Sequence, residues 1–267
     1  MVSEKSVVLL TGGTSGIGSA AVKRFRDSGW RVYEISRRAA GGDGTPEITH
    51  IQGDLTKIET LKAAVERVVE AEGRIDALVN NAGFGIFGAA ETTNMDDVRR
   101  QFEVNFFGTV ALTQLVLPIM RRQGGGRIIN VASCAAFFPL PYQSYYSATK
   151  AALLTWARAM AGEVRQFGVE VVTICPGDIN TEFGKARIIG GERTAEEARA
   201  LQKAEASEKG GMAPVVVAKE IVRFANCNVV KRVPLVAIPG LKYAWLDRAA
   251  RLLPRTWVSR LIEKWYV

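Results

Sequence analysis

The sequence predicts an α/β fold, a doubly wound parallel sheet of about seven strands with helices on both faces. Three observations predict it. Strand-length apolar runs alternate with helix-length periodic segments along the chain. The first run, Val7-Val8-Leu9-Leu10, is continuously apolar, as expected of a strand buried on both faces. A glycine-rich turn, Thr11-Gly12-Gly13-Thr14-Ser15-Gly16-Ile17-Gly18, follows it and opens directly into helical periodicity.

Each element follows in order. Ala21, Val22 and Phe25 carry the first helix, which stops near Ser28-Gly29. Residues 31–36 form the second strand, and a glycine-rich loop over 40–46 leads to a third around 48–51. Ile58, Leu61, Val65 and Val68 mark one face of a helix over 57–72. Ala77-Leu78-Val79 is the fourth strand, ending at Asn80-Asn81-Ala82-Gly83. A long helix over 95–122, a strand over 127–131, a helix over 144–167 and a strand over 169–174 continue the alternation. A helix over 214–225 and a short strand near 235–238 close it. The result is a Rossmann-type, single-domain arrangement over residues 1–240. Residues 179–212 break the rhythm and are expected to form a mobile helical insertion at the substrate site. Residues 241–267 are expected to form a C-terminal amphipathic extension.

Composition narrows the chemistry. A chain of 267 residues can bury a full core in one domain. With 48% apolar and 23% charged residues, wholesale disorder is excluded. No uninterrupted apolar run approaches the ~20 residues of a membrane span, and Met1-Val2-Ser3-Glu4-Lys5 shows no signal-peptide pattern. His50 is the single histidine, so Ser-His-Asp and Cys-His catalysis would both depend on it. Cys134, Cys175 and Cys227 lack metal-ligand spacing. They read as free thiols in a reducing, cytoplasmic setting, with no metal site. Catalysis must then come from Tyr, Lys, Ser or carboxylates, with or without a bound cofactor. The net charge of +8 is spread along the chain without a nucleic-acid motif, so a basic surface is expected rather than nucleic-acid binding.

The glycine turn lies where a doubly wound fold binds a dinucleotide, because missing side chains let the backbone approach a pyrophosphate at a helix N-terminus. The second strand would end in an acid for NAD. Here it ends in Ser36, followed by Arg37 and Arg38, a set suited to the 2′-phosphate of NADP. Glu34, the nearest carboxylate, stands two residues early. Tyr146 and Lys150 are four apart on a helix and share a face. An ammonium beside the phenol is expected to lower its pKa from ~10 and give an acid/base pair without histidine.

These motifs, in this order, resemble the short-chain dehydrogenase/reductase family, and the wording from Asn81 to Lys185 is similar to its hydroxysteroid and retinol dehydrogenase branch. The match runs from Val7 to about Thr181. The resemblance implies a fold with NADP(H) held by Gly12, Thr14, Ser15, Gly16, Ile17 and Gly18. Ser36, Arg37, Arg38, Asp54 and Leu55 would flank its adenosine end. Asn81, Ala82, Gly83, Pro176, Gly177, Ile179 and Thr181 would complete the site. It implies a catalytic tetrad of Asn105, Ser133, Tyr146 and Lys150. Tyr146 would be the general acid/base, and Lys150 would lower its pKa and hold the nicotinamide ribose. Ser133 would donate to the substrate carbonyl, and Asn105 would hold a water in a proton relay. Tyr145 competes for the tyrosine role but stands five residues from Lys150.

The family's substrate wall falls on Cys134, Phe137, Phe138 and Tyr142, with residues 84–88 adding apolar surface. Segments 84–88 and 134–141 carry no charge, so a bulky apolar ketone or alcohol, steroid-like or retinoid-like, is expected. Segment 182–212, with Lys185, Arg187 and Arg193, is where charge would enter. A 3-oxoacyl thioester reductase and a non-catalytic NADP-binding regulator are the alternatives. The resemblance and the apolar helix after Lys150 imply a homo-oligomer, dimer or tetramer. The C-terminus interleaves Leu246, Leu253, Trp257, Leu261 and Trp265 with Arg248, Arg251, Arg255, Arg260 and Lys264. Such a helix can cover the substrate cleft, join a subunit or lie on a membrane; the sequence favours the first two.

Overall fold

The computed structural model describes residues 5–38, 45–190, 194–227, 233–250 and 252–266. Residues 1–4, the glycine-rich stretch 40–44, Arg193 and Arg251 lie outside the described residues, as do the side chains of Arg255 and Trp265.

Strand β1 (Val7–Thr11) is an interior strand of the sheet, buried throughout. Around it the chain lays down α1 (Gly16–Asp27), β2 (Arg31–Ser36), β3 (Ile48–Gln52), α2 (Ile58–Glu72) and β4 (Ala77–Asn80). Then come β5 (Ile86–Phe87), α3 (Met95–Phe102), α4 (Gly108–Arg122), β6 (Gly126–Val131), α5 (Ser144–Val164) and β7 (Val169–Ile174). The remainder is β8 (Ile188–Ile189), α6 (Ala195–Lys209), α7 (Pro214–Ala225), β9 (Val236–Ala237), α8 (Leu241–Ala250) and α9 (Arg255–Tyr266). Seven parallel strands pair in the order β3-β2-β1-β4-β6-β7-β9. This is the doubly wound sheet the sequence predicts.

Strand side chains alternate between faces, and the core divides accordingly. Val7 and Leu9 pack with α2, α4 and α5 on one face. Val8 and Leu10 pack with α1 and α7 on the other. The chain runs from β1 outward to β3, then crosses back to β4 on β1's other side. Strand order reverses there, and the carboxyl ends of β1 and β4 flank the crevice where such folds hold ligands.

Two features depart from the sequence reading. Strands β5 and β8 pair as a separate two-stranded sheet of two residues each. The continuous helical run Met95–Arg122 is, by length and composition, apolar enough to cross a membrane, although no unbroken apolar stretch announces it. Its charges cluster at the ends, as Asp96, Asp97, Arg99, Arg100 and Glu103, then Arg121 and Arg122. In the fold it is a core helix, with Leu112, Val116 and Met120 fully buried.

Candidate active site

The glycine turn is built by close backbone approach. Gly12 (φ +73°) and Gly16 (φ +54°) adopt the left-handed region that disfavours side chains. A Cβ on Gly18 would lie 2.0 Å from the Gly12 carbonyl oxygen, so α1 can start only with glycine there. Thr11 Oγ1 accepts from the backbone N–H groups of Asn81 (3.0 Å) and Ala82 (3.1 Å). Asn81 Nδ2 donates back to the Thr11 carbonyl at 3.0 Å. The β1 turn and the end of β4 are thereby stitched into one floor.

Glu34 lies beneath that turn rather than at the end of β2. It is buried, accepts from the Gly13 N–H at 3.1 Å, and pairs with His50 Nδ1. A Cβ on Gly13 would strike Glu34, which is why two glycines follow Thr11. Both the one histidine and the nearest acid are therefore committed to structure. The exposed Arg38 reaches Thr14 Oγ1 at 3.1 Å. Asp54 accepts from Thr56 N and Oγ1, both at 2.9 Å. Burial alone would raise its carboxyl, but these bonds and the Arg37 and Lys57 charges hold it below the usual range.

A cavity of 1370 Å³ runs along this floor. Every anticipated cofactor residue lines it except Gly18, which packs behind the turn. The cavity continues to Ser133, Tyr146 and Lys150. The donor set fits a dinucleotide: open backbone at the helix start, guanidinium groups at one end, hydroxyls and an ammonium at the other.

The tetrad converges from three elements. Ser133 ends the β6 segment and accepts from the Ala135 N–H at 3.1 Å, capping a short 3₁₀ turn over Cys134–Ala136. Tyr146 and Lys150 are successive turns of α5, both buried. Tyr145 points elsewhere and donates to the Ala90 carbonyl at 2.8 Å. Asn105 lies one layer below, outside the cavity wall, on a π-helical turn (Glu103–Phe107) between α3 and α4. Its Nδ2 donates to the Phe84 carbonyl (3.0 Å) and Thr149 Oγ1 (3.1 Å), while Oδ1 accepts from the Phe84 N–H (3.0 Å). A Cβ on Gly83 would lie 3.0 Å from Asn105 Oδ1 and 3.5 Å from Lys150 Nζ, so Gly83 is the gap between them.

The electrostatics differ from the simple pair the sequence suggests. Burial pushes the Tyr146 phenol up to about 12, opposed by its hydrogen bond with Ser133 and raised further by Glu208. Burial brings the Lys150 ammonium down to about 8. Lys150 Nζ donates to the Val131 carbonyl at 3.0 Å and stands 5.7 Å from the centre of the Tyr146 ring. Desolvation, rather than the neighbouring ammonium, dominates the phenol, so the expected lowering of the Tyr146 pKa is overturned.

The substrate end needs further correction. Cys134 and Phe138 line the cavity. Phe137 instead packs beside Leu153, Leu154 and Cys175. Tyr142, at φ +59°, stacks on Phe87 with centroids 5.7 Å apart and donates to Glu196. Leu140 and Gln143 take their places in the wall. Nor is the wall free of charge. Asp178, Glu182, Lys185, Glu208 and Lys242 also line it. Glu208 is paired with the buried Arg187, and burial raises its carboxyl despite that charge. Leu246, Leu261 and Ile262 of the C-terminal helices, with Leu253 between them, close the far end. Tyr243 fixes α8 there by donating to Asp178 Oδ2 at 2.9 Å and packing its ring against Gly177, where a Cβ would lie 2.2 Å from it. These distant contributors carry no local motif; only the apolar–basic alternation of the C-terminus hinted at them.

Comparison with known proteins agrees with this geometry. The family model for short chain dehydrogenases matches residues 6–189. A 3-ketodihydrosphingosine reductase of Bacteroides thetaiotaomicron is 34% identical over 236 residues, covering 86% of this chain and 85% of the relative. The crystal structure of a short-chain dehydrogenase from Streptomyces avermitilis superposes with a TM-score of 0.84 at 30% identity, covering 95% of this chain and 96% of that one. A structure of ElxO with NADP bound gives a TM-score of 0.76 at 25% identity, covering 90% and 99%. With the glycine turn, the reversed strand order and the Ser133–Tyr146–Lys150 cluster, the match over residues 6–189 establishes that this chain is an oxidoreductase-family protein of the short-chain dehydrogenase/reductase kind.

Proposed function

We propose that the protein is an NADP(H)-dependent reductase of a bulky apolar ketone. The observation that carries this reading is one continuous cavity. It begins at Ser36, Arg37 and Arg38, passes the glycine turn, reaches Tyr146 and Ser133, and ends among Leu246, Leu253, Leu261 and Ile262. A nicotinamide cofactor would supply the hydride; this chain's residues orient the substrate and move the proton. Ser133 and the Tyr146 hydroxyl, both lining the cavity, would hold the carbonyl oxygen between them. With its pKa raised to about 12, Tyr146 stays protonated at neutral pH, which suits proton donation to a developing alkoxide. Lys150 and Asn105, adjacent through the Gly83 gap, connect that hydroxyl to the protein interior. The name of the Bacteroides relative and the NADP bound by ElxO support the ketone and the cofactor. The half-exposed Phe107, on the turn before α4 and next to Phe106, which in turn meets Trp156 of α5, supports a homo-oligomer.

Two measurements test the reading. Binding titrations should favour NADPH over NADH by about 10- to 100-fold, a charge-assisted phosphate contact of ~1–3 kcal/mol, and Arg37→Asp should reverse the order. Equal or tighter NADH binding by the unaltered protein would sink the NADP reading. Values of kcat/KM with NADPH should rank a steroid ketone, retinal or a long-chain ketone above a sugar ketone and a 3-oxoacyl thioester. About tenfold in favour of the thioester or the sugar would replace the apolar-substrate reading.

A further inference from the structure

Half of the exposed large apolar side chains among the described residues, 7 of 14, fall within residues 241–261. Leu241, Trp245, Leu252, Trp257 and Leu261 are each at least 60% exposed. A monomeric surface seldom carries so many together unless something covers them. The same two helices are basic. Residues 241–267 hold Lys242, Arg248, Arg251, Arg255, Arg260 and Lys264 against Asp247 and Glu263. Of the two acids, Asp247 is buried. Lys242, Arg248, Arg260 and Lys264 are exposed, and the Arg248 guanidinium lies 5.9 Å from the Trp245 ring centre.

We propose that the outer faces of α8 and α9 form a docking surface for an anionic lipid bilayer. Tryptophan and leucine beside arginine and lysine is the composition that settles at a bilayer interface, with rings among headgroups and cations on lipid phosphates. A second copy is the poorer occupant. A two-fold contact would set this patch against itself and bring like charges together. Docking would also place the mouth of the cavity at the membrane. Leu246, Leu253 and Leu261 are partly exposed on the surface and also line the cavity. An apolar ketone would then pass from lipid to Tyr146 without crossing water; this last step rests on the proposed substrate class, whereas docking itself does not.

The test is flotation of the full chain with phosphatidylcholine vesicles, with and without phosphatidylserine. The chain should float with anionic vesicles and much less with neutral ones, and added salt should release it. Each basic residue at an anionic surface is worth roughly fivefold, so Arg248→Gln with Arg260→Gln should weaken binding roughly thirtyfold. Trp245→Ser with Trp257→Ser should also weaken it. NADPH affinity and circular dichroism should be unchanged in both variants, which separates lost docking from lost folding. Absence of flotation with both vesicle types would overturn the proposal. So would binding that ignores the arginine changes, or a fall in particle mass on the tryptophan changes, which would assign the face to a second copy. Flotation reads no turnover, so a wrong substrate class and a wrong docking surface would fail separately.

Discussion

Tyr145 and Tyr146 are neighbours in sequence with opposite placements. Tyr145 donates to the Ala90 carbonyl, whereas Tyr146 is buried and faces the cavity with Ser133. Tyr146→Phe should therefore lower turnover by about 10²–10⁴-fold with fold and NADPH binding retained, because only the proton-transferring hydroxyl is removed. Tyr145→Phe should stay near wild type; steady-state rates and cofactor titrations of the two variants decide. Lys150 gives a second, independent signature. Its folded pKa, about 8, lies below the ordinary 10.5, so the fold favours the neutral amine. Near neutral pH both native and unfolded chains hold the proton, and the burial penalty stands in full. As pH rises through about 8 the native lysine releases its proton while the unfolded one keeps it, so this residue's contribution to stability rises. Buried Cys134 and Cys175, raised to about 12, act in the opposite sense above pH 9, their ordinary value. The informative quantity is thus the difference in urea midpoint between wild type and Lys150→Met. Wild type should gain on the variant between about pH 7 and 9. A pH-independent difference would place the Lys150 ammonium in a wetter environment than this one.

At the scale of elements, α8 closes the cavity because of a contact between residues far apart in sequence. A Cβ on Gly177 would lie 2.2 Å from the Tyr243 ring. Gly177→Ala should displace α8 and cost about 1–3 kcal/mol, and much less in a Tyr243→Ala background, as urea unfolding of the double-mutant cycle would show. Equal costs in the two backgrounds would mean that the glycine serves the backbone alone. No pattern near Pro176-Gly177 announces this partner, and the same holds for Glu208 and Asp178 at the substrate end. What was legible had a local physical cause. The β1 run, the glycine turn and the α1 periodicity sit together within about twenty residues, and Tyr146 and Lys150 share a face by helical spacing alone. What was not legible depended on distance or on brevity. Strands β5 and β8 are two residues each, too short for an alternation to register. The wall assignments failed at Phe137 and Tyr142 because the stretch between Ser133 and α5 includes a 3₁₀ turn and a left-handed residue, so no strand or helix period predicts which side chains face inward. The π-helical turn that seats Asn105 left no trace in an otherwise continuous helical pattern.

For the whole molecule, the unanswered question is which outer surfaces are free. Helices α4 and α5 cover one face of the sheet, and the π-helical turn before α4 sets an aromatic cluster beside α5. Phe106 meets Phe107 edge-on at 5.2 Å and Trp156 edge-on at 6.3 Å, and Phe107 is 50% exposed. Helix α5 adds Leu153, Leu154, Ala157 and Met160 as its buried side, so an apolar outer face is more than the core requires. A pair of such helices meeting the same pair on a second copy would make an isologous contact, and a stable one would bury roughly 1,600 Å² in total. Light scattering at micromolar concentration should therefore report a particle larger than the 29.0 kDa chain. Phe107→Lys, which places a charge at the exposed edge of the cluster, should reduce that mass while leaving NADPH binding intact. A 29.0 kDa particle for the unaltered chain would refute assembly through this face. The aromatic cluster belongs to α5 and the turn between α3 and α4, whereas the proposed lipid-facing groups belong to α8 and α9. The two sets of substitutions should consequently act independently. Phe107→Lys should change particle mass and leave the contacts of α8 and α9 with anionic vesicles in place. Trp245→Ser with Trp257→Ser should release vesicles and leave mass unchanged. If both variants altered both readouts, the two faces would be parts of one interface, and the assignment of α8 and α9 to lipid would fall with it.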